Sequence, residues 1–489
     1  MNIKTGTEIS AHSPIVVIPF SQGELLEGQL TAVAAFAGMK PEIVTKEFKA
    51  EAKESLLLFK QDSGQKIYLL GLGKAPKSAD FIKIFRSFFY HKRNVSDASV
   101  AIDLVSGQLE DAAEFVVNGL LLASYKLGAQ KTHRDDKPDF FKSEFDAELI
   151  VSTEKQSEVA QAVKAGVETA ETQVRILALV DAPANYKTPQ QLADFVLESG
   201  KSFGYKVEVF DEKQCEALGL HALLAVGKGS IENPPKFLVL EYKGGESKTI
   251  GLVGKGVTFD TGGVSLKPGD NMNYMKSDMG GAAAVIGTIE LVARLKLPVH
   301  IVGVVPVTEN CIDGLAIKPG DVIGSYAGKT IEVINTDAEG RLILADGLAY
   351  LKKNYNPEVM IDLATLTGNC IMALGYAASA LLSNNDALAQ QLIDAGQETG
   401  EKTWRMPLWD DYKDMMKSDV ADIKNLSSAP IAGAITAAKF LETFIDEHPN
   451  WAHLDIAGVA FGDSEYGSMK SATAYGIRLL KNWIVRHYL

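Results

Sequence analysis

The segment Asn335-Thr336-Asp337-Ala338-Glu339-Gly340-Arg341-Leu342 puts two carboxylates and a guanidinium within five residues. Such a loop can offer hard oxygen ligands to a divalent cation and a positive charge to an anion, which are components of a metal-dependent hydrolase. The run before it, Lys329-Thr330-Ile331-Glu332-Val333-Ile334, is β-branched and roughly alternating, and Leu342 to Leu351 has apolar residues at helical spacing. Asp337 and Glu339 are therefore expected at a strand-to-helix junction. Extended geometry carried two residues further would turn positions i and i+2 the same way and bring both carboxylates to one point. A solvated acidic turn uses the same residue types, so the octapeptide alone leaves both readings open.

A second block, Gly254-Lys255-Gly256-Val257-Thr258-Phe259-Asp260-Thr261-Gly262-Gly263, runs through Lys267-Pro268-Gly269 to Met275-Lys276-Ser277-Asp278-Met279-Gly280-Gly281. It follows the apolar strand Ile250 to Val253, so Lys255 and Asp260 leave a strand end, where open α/β sheets place their sites. A phosphate loop is excluded by the order of its glycines and lysine, which does not fit Gly-x4-Gly-Lys-Ser/Thr. None of the eight histidines has another at i+4, so any metal site is built from oxygen ligands, with Asp260, Asp278, Asp337 and Glu339 as candidates. Crowded together, these would repel by about 4 kcal/mol per close pair at an effective dielectric near 20. Two divalent cations cancel a formal −4, which favours a two-metal centre. Lys255 is the odd element: under burial and positive charge an amine loses its proton and becomes a nitrogen ligand, or the ammonium pairs with the carboxylates.

The elements that must position these residues follow from the wider sequence. At 489 residues the chain exceeds one ordinary core. Forty-nine basic against 62 acidic side chains, net −13, argue against broad nucleic-acid binding. Cys215, Cys311 and Cys370 are odd in number and widely spaced, as in a reducing cytoplasm. Met1 to Ser10 has no apolar core of a secretory signal. The uncharged stretch Leu363 to Ser383 is long enough for a membrane span, but its threonines, asparagine and glycines favour a buried strand, a loop and a small-residue helix.

Strand-like runs (Pro14 to Pro19, Lys66 to Leu72, Ser99 to Val105, Ala147 to Ser152) alternate with helical patterns (Asp80 to Arg93, Asp111 to Leu127), predicting a small α/β domain with a largely parallel sheet over residues 1–152. One long helical pattern, Glu154 to Leu179, stops at Pro183 and predicts a linker helix within 153–183. Residues 184–489 then form the larger domain. A helix opens at Pro189, strands are expected at Lys206 to Phe210, Lys236 to Tyr242, Thr249 to Gly254, Val299 to Val307, Thr330 to Asn335 and Val359 to Leu363, and helices at Gly280 to Leu295 and Arg341 to Lys353.

The two blocks, with Ala364-Thr365-Leu366-Thr367-Gly368, Ser418-Asp419-Val420-Ala421-Asp422 and Trp451-Ala452-His453-Leu454-Asp455-Ile456-Ala457-Gly458, closely resemble the leucyl (cytosol) aminopeptidase, PepA-like family of metallopeptidases. The resemblance runs from about Val180 to the C-terminus and does not extend to the first 150 residues. It implies an α/β protein of two domains, a small variable N-terminal one and a C-terminal catalytic one with a central mixed sheet flanked by helices. It implies two divalent ions (Mn²⁺ or Zn²⁺, with Mg²⁺ also accommodated), bridged by Asp260 and Glu339, one completed by Lys255 and Asp278 and the other by Asp337.

By the same resemblance, Lys267 polarises the scissile carbonyl, Arg341 holds a bicarbonate acting as general base, and Met275, Thr365, Leu366 and Gly368 contact the substrate. Thr261 replaces the family's commoner serine but keeps a hydroxyl. Ser427 to Ala434 lacks an arginine many members carry, which bears on pocket shape. The implied protein is a cytoplasmic homohexameric aminopeptidase that removes leucine and other apolar residues from peptides, without a membrane partner. Two alternatives are an additional DNA-binding, regulatory role through N-terminal residues such as Lys83, Arg86, His91, Lys92 and Arg93, which the net charge opposes, and a two-metal phosphoesterase, which the peptide-pocket motifs oppose.

Overall fold

The computed structural model describes residues 1–10, 13–93, 99–132, 141, 145–467 and 469–489. It divides into two compact units, Met1–Val174 and Arg175–Leu489, the division falling inside the helix Gln156–Asp181.

In the first unit a six-stranded sheet has the order Asn2–Gly6, Asp146–Ile150, Ser99–Asp103, Ile15–Gln22, Lys66–Lys74, Ser55–Phe59. It is parallel except at the Ser55–Phe59 edge. The two outermost strands were not expected from the sequence. Ser55–Phe59 is a leucine run without polar alternation, and Asn2–Gly6 has too few apolar residues to show a period. Helices Ser78–Lys92 and Ala113–Leu122 bury Phe85, Phe89, Val116 and Leu120 with the sheet residues Ile102 and Leu149.

In the second unit the main sheet is mixed, as expected. Its order is Thr403–Arg405, Ser379–Ser383, Trp451–Asp455, Val359–Ala364, Ile250–Gly254, His300–Asn310, Lys236–Lys243, Lys206–Phe210, and Gly256–Asp260 pairs onto His300–Asn310 off this path. The central strands from Trp451–Asp455 to His300–Asn310 are mutually parallel, and both flanks turn antiparallel. Strands buried on both faces read as near-continuous apolar runs, which is why Ile250 to Val253 and, despite the buried Asp362 within it, Val359 to Leu363 were legible. Two helices supply the cover that positions the site. Gly280–Arg294 is buried from Gly280 through Ala293, as an all-round small and apolar helix must be. Gly340–Tyr355 buries Leu342 to Leu351. Pro189 opens the helix Pro189–Phe203, where Thr188 and Gln191 form a capping box.

The expected strand Thr330 to Asn335 is a correction. Only Ile331–Glu332 is extended, and it belongs to a separate three-stranded sheet with Val322–Ile323 and Ile423–Lys424. Beyond it, the N–H groups of Ile334 and Asn335 are given to Asn425 Oδ1 at 2.8 and 3.4 Å, so the ladder cannot continue. The stretch Leu363 to Ser383 contains the end of a strand, the helix Gly368–Leu374 capped by Thr367, and the strand Ser379–Ser383. Among the described residues no helix is long and apolar enough to cross a membrane.

Candidate active site

Parallel strands put all their carboxyl ends on one edge of a sheet, and the loops leaving that edge converge. Lys255 follows Ile250–Gly254, Asp260 closes Gly256–Asp260, Thr365 to Thr367 follow Val359–Ala364, and Asn310 and Asp455 end their own strands. Asp278 lies two residues before the helix Gly280–Arg294, and Glu339 immediately precedes the helix Gly340–Tyr355. Residues separated by more than 80 positions therefore meet in one place.

The meeting point is an acidic cage. Asp260, Asp337 and Glu339 each offer a carboxylate oxygen, and these atoms lie within 4.8 Å of one another. Lys255, 3 % exposed, sets Nζ 2.7 Å from Asp278 Oδ2 and 2.9 Å from Glu339 Oε1. Its ammonium also donates to Thr365 O at 3.0 Å. Lys267 pairs with Asp260 Oδ2 at 2.8 Å and with Asp337. All seven residues expected at a metal or catalytic position, including Arg341, line one cleft of about 470 Å³.

Burial dominates the electrostatics. It pushes the Glu339 carboxyl up to about 8, with the neighbouring Asp260 and Asp278 adding to the rise and Lys255 and Lys267 opposing it. Asp278 rises to about 6 for the same first reason, against Lys255. Burial works against both lysine ammoniums, but Asp278, Glu339 and Asp260 around Lys255, and Asp260, Glu339 and Asp337 around Lys267, hold both above the ordinary lysine range. Two ammoniums against four carboxylates leave a formal −2.

Divalent cations fit this donor set. Its oxygens are hard and convergent, and Glu339 Oε2 is buried with no hydrogen-bond partner among the described residues, an acceptor aimed into a site of excess negative charge.

The convergence does not use strand geometry. Thr336 and Asp337 form a turn in which Asp337 N–H donates to Asn335 Oδ1 at 2.7 Å and Ala338 N–H to Asn335 O at 3.2 Å. Asn310 Nδ2 donates to Asp260 Oδ1 at 2.8 Å and to Thr336 O at 3.0 Å, joining the two ligand loops. Thr336 Oγ1 donates to Gly262 O at 2.6 Å. Asp455 accepts from Leu366 N–H, Thr367 N–H and Thr367 Oγ1, fixing the loop after Ala364. Sequence reasoning assigned no role to Asn310, Thr336, Asn425 or Asp455. Only Asp455 and Thr336 lay inside quoted motifs, and buried amides at strand ends carry no local signal.

Thr261 uses its retained hydroxyl to donate to Asn310 O at 2.9 Å. Gly262 and Gly263 take φ of +88° and +63°, and a Cβ on Gly262 would stand 2.9 Å from Asp337 Oδ1, so the turn leading to Lys267 needs glycine on both counts.

Met275, Thr365, Leu366 and Gly368 line the cleft together with Ile371 and Phe461, an apolar wall beside the cage. The segment Ser427 to Ala434, which lacks the arginine, reaches the cleft at Gly433, where a Cβ would meet Asn369 Oδ1 at 2.2 Å. Arg341, at the start of its helix, donates to Asn425 O at 2.9 Å while its Nε has no hydrogen-bond partner among the described residues. Burial lowers it to about 10, with Glu339 opposing.

Gly340 tests how tightly the cage is packed. A Cβ there would lie 2.5 Å from Lys255 Cε and 2.8 Å from its Nζ. Lys255 is pinned by three partners and cannot swing away without leaving buried charges unpaired. Gly340→Ala is expected to cost about 3–5 kcal/mol in a urea melt. A gain of roughly 0.5–1 kcal/mol, as helix propensity alone dictates, would contradict this packing.

Comparison with known proteins gives a concordant picture. The model of the cytosol aminopeptidase family, catalytic domain, matches residues 175–481, and that of the same family's N-terminal domain matches residues 18–134. The second match corrects the expectation that the resemblance stops short of the first 150 residues, a region that offers no reactive motif by which a likeness shows. A probable cytosol aminopeptidase of Chlorobium limicola is 44 % identical, over 99 % of this chain and 100 % of the relative. One from Chloroherpeton thalassium is 43 % identical over 96 % of each. A solved structure described as bottromycin maturation enzyme BotP in complex with Mn superposes with a TM-score of 0.83 at 32 % identity, covering 96 % of this chain and 99 % of the other.

Proposed function

The chain belongs to the cytosol aminopeptidase family and is a metal-dependent aminopeptidase, and on that premise we propose which of its residues perform the hydrolysis and on what. The observation that carries the proposal is the cage of carboxylate oxygens within 4.8 Å, buried at Asp260 and Glu339 and open at Asp337, with two lysines embedded in it, beside an apolar wall in one cleft. Asp260, Asp278, Asp337 and Glu339 would hold two divalent cations, with Lys255 as the nitrogen ligand. Mn²⁺, Zn²⁺ and Mg²⁺ all suit the donors, and the Mn complex of the BotP relative supports the first. When bound, such ions supply Lewis acidity and activate water at neutral pH.

The chain's own residues do the rest. Lys267, kept charged by Asp260, Glu339 and Asp337, reaches into the cleft as a donor preorganised for oxygen that gains negative charge. Met275 and Leu366 offer apolar surface for the first side chain of a peptide, with leucine and similar residues preferred, and the loop from Thr365 to Gly368, fixed by Asp455, orients its backbone. Arg341, buried with an Nε that has no hydrogen-bond partner among the described residues, would hold bicarbonate. The cage's excess of carboxylates over ammoniums favours a free α-amine over an acetylated one, which would restrict cleavage to N-termini. A homohexamer in the cytoplasm completes the reading, on the family resemblance.

Leucine p-nitroanilide is expected to be cleaved with Mn²⁺ or Zn²⁺ and not with chelator, while N-acetyl-leucine p-nitroanilide stays intact. A metal-replete protein inert to every unblocked peptide would sink the proposal.

A further inference from the structure

We propose that Asn425 is a positioning residue for the candidate metal-binding loop, holding the Asp337 and Glu339 carboxylates convergent; this rests on the cage reading above. Asn425 follows the strand Ile423–Lys424, which pairs in parallel with Ile331–Glu332. Its own N–H makes one further ladder bond, to Glu332 O at 2.9 Å. At that point the backbone ladder ends and the carboxamide takes over.

Oδ1 accepts from Ile334 N–H at 2.8 Å and Asn335 N–H at 3.4 Å, while Nδ2 donates to Asn335 O at 2.7 Å and Ala338 O at 3.3 Å. One side chain thus binds donors and acceptors along the segment Ile334 to Ala338, which contains Asp337 and ends one residue before Glu339. The backbone carbonyl of Asn425 accepts from Arg341 NH1 at 2.9 Å, so the same residue fixes the guanidinium on the other side of Glu339. Asn425 is fully buried.

An asparagine amide carries the donor and acceptor inventory of a peptide group. Aspartate keeps the acceptors but opposes two carbonyl oxygens with a third oxygen, and alanine removes both. The carboxylates of Asp337 and Glu339 sit on a turn and a helix start, elements with no ladder of their own to hold their spacing. Asn425 supplies it from some 90 positions away, opposite Asn310, which grips the loop through Thr336 O. Groups that orient metal ligands in this way typically change metal affinity by roughly 10–100-fold when removed.

The test titrates Mn²⁺ by calorimetry into metal-free full-length protein and follows peptide hydrolysis across the same Mn²⁺ range. Asn425→Asp has nearly the wild-type volume and adds negative charge, so charge alone predicts tighter binding. Positioning predicts the opposite: a cooperatively folded protein whose weaker ion binds roughly 10–100-fold less tightly, with turnover partly recovered at high Mn²⁺. Asn425→Ala is expected to weaken the same ion. Thr330→Val, which breaks the neighbouring bond to Asp422 Oδ2 outside the ligand loop, is expected to lower thermal stability and keep wild-type Mn²⁺ affinity.

Wild-type affinity in either folded Asn425 variant, equal weakening in Thr330→Val, or failure of both Asn425 variants to fold would overturn the proposal. Glu339→Ala, run alongside, separates the two levels. Metal lost in Glu339→Ala but kept in the Asn425 variants removes only the positioning role, whereas metal kept in Glu339→Ala removes the cage reading itself.

Discussion

In Glu339→Ala, bound metal and aminopeptidase turnover are expected to vanish together. Glu339 is 1 % exposed, contacts Lys255 through Oε1, and has a buried Oε2 without a hydrogen-bond partner among the described residues. It lies between the Lys255–Asp278 pair on one side and Asp260 with Asp337 on the other. Its removal therefore takes away the group common to both halves of the donor set, not one ligand among equals. The remaining carboxylates cannot collapse onto the gap, because Asp260 is tied to Asn310 and Gly262 and the Asp337 loop to Asn425.

Metal-assisted hydrolysis owes several kcal/mol of transition-state stabilisation to its ions, so turnover should fall by roughly 10³-fold or more. Elemental analysis after gel filtration, paired with the p-nitroanilide assay, reads both quantities. Full metal content in a folded Glu339→Ala protein would remove the cage reading, because Glu339 is the group common to both of its halves.

The lysines change the charge arithmetic that sequence supports. Four isolated carboxylates require two divalent cations for neutrality, but the structure pairs each lysine with two of them. The candidate ligand oxygens are therefore already engaged by ammoniums, which a bound cation would have to share. Lys255 is pinned at its Nζ by Asp278, Glu339 and Thr365 O, which is the geometry of an ion-pair partner and equally the address of a nitrogen ligand. Lys267 is different in its surroundings. It is partly exposed and opens to the cleft, so its charge faces the proposed substrate site.

Local pattern made much of this legible. Strands buried on both faces, the small-residue helix after Asp278 and the apolar helix after Glu339 all follow from runs within a few residues, and the candidate ligands lie at their ends. What was not legible is how Asp337 and Glu339 come together. Alternation before Asn335 pointed to a continued strand, yet a bond from a residue 91 positions away stops the ladder at Ile334. The side chains of Asn310 and Asn425 act through such distant partners, and Asp455 adds to its distant ones only the N–H of Ala457, so their chemistry leaves little spacing to read. The edge strand Ser55–Phe59 was missed for another reason: an edge position is half solvated and its leucines carry no period.

Lys267→Ala is expected to do the reverse of Glu339→Ala: keep the metal and lose the rate. Lys267 Nζ lies 2.8 Å from Asp260 Oδ2 and against Asp337, so its deletion removes a positive charge from between two carboxylates and leaves all four oxygen donors in place. Repulsion between those carboxylates then grows, and affinity for a divalent cation should hold or rise. The rate should fall because the cleft loses the ammonium proposed to face developing oxyanion charge. Removal of a single such donor costs about 10²–10³ in kcat, roughly 2.7–4 kcal/mol. Apolar contacts from Met275 and Leu366 are untouched, so KM for leucine p-nitroanilide should change far less than kcat. Lys267→Arg keeps the charge but not the reach or the compact ammonium, and should recover only part of the rate. Metal analysis and steady-state kinetics on the same preparations decide the matter: equal metal loss in Lys267→Ala and Glu339→Ala would mean that Lys267 serves the cage and not the scissile carbonyl.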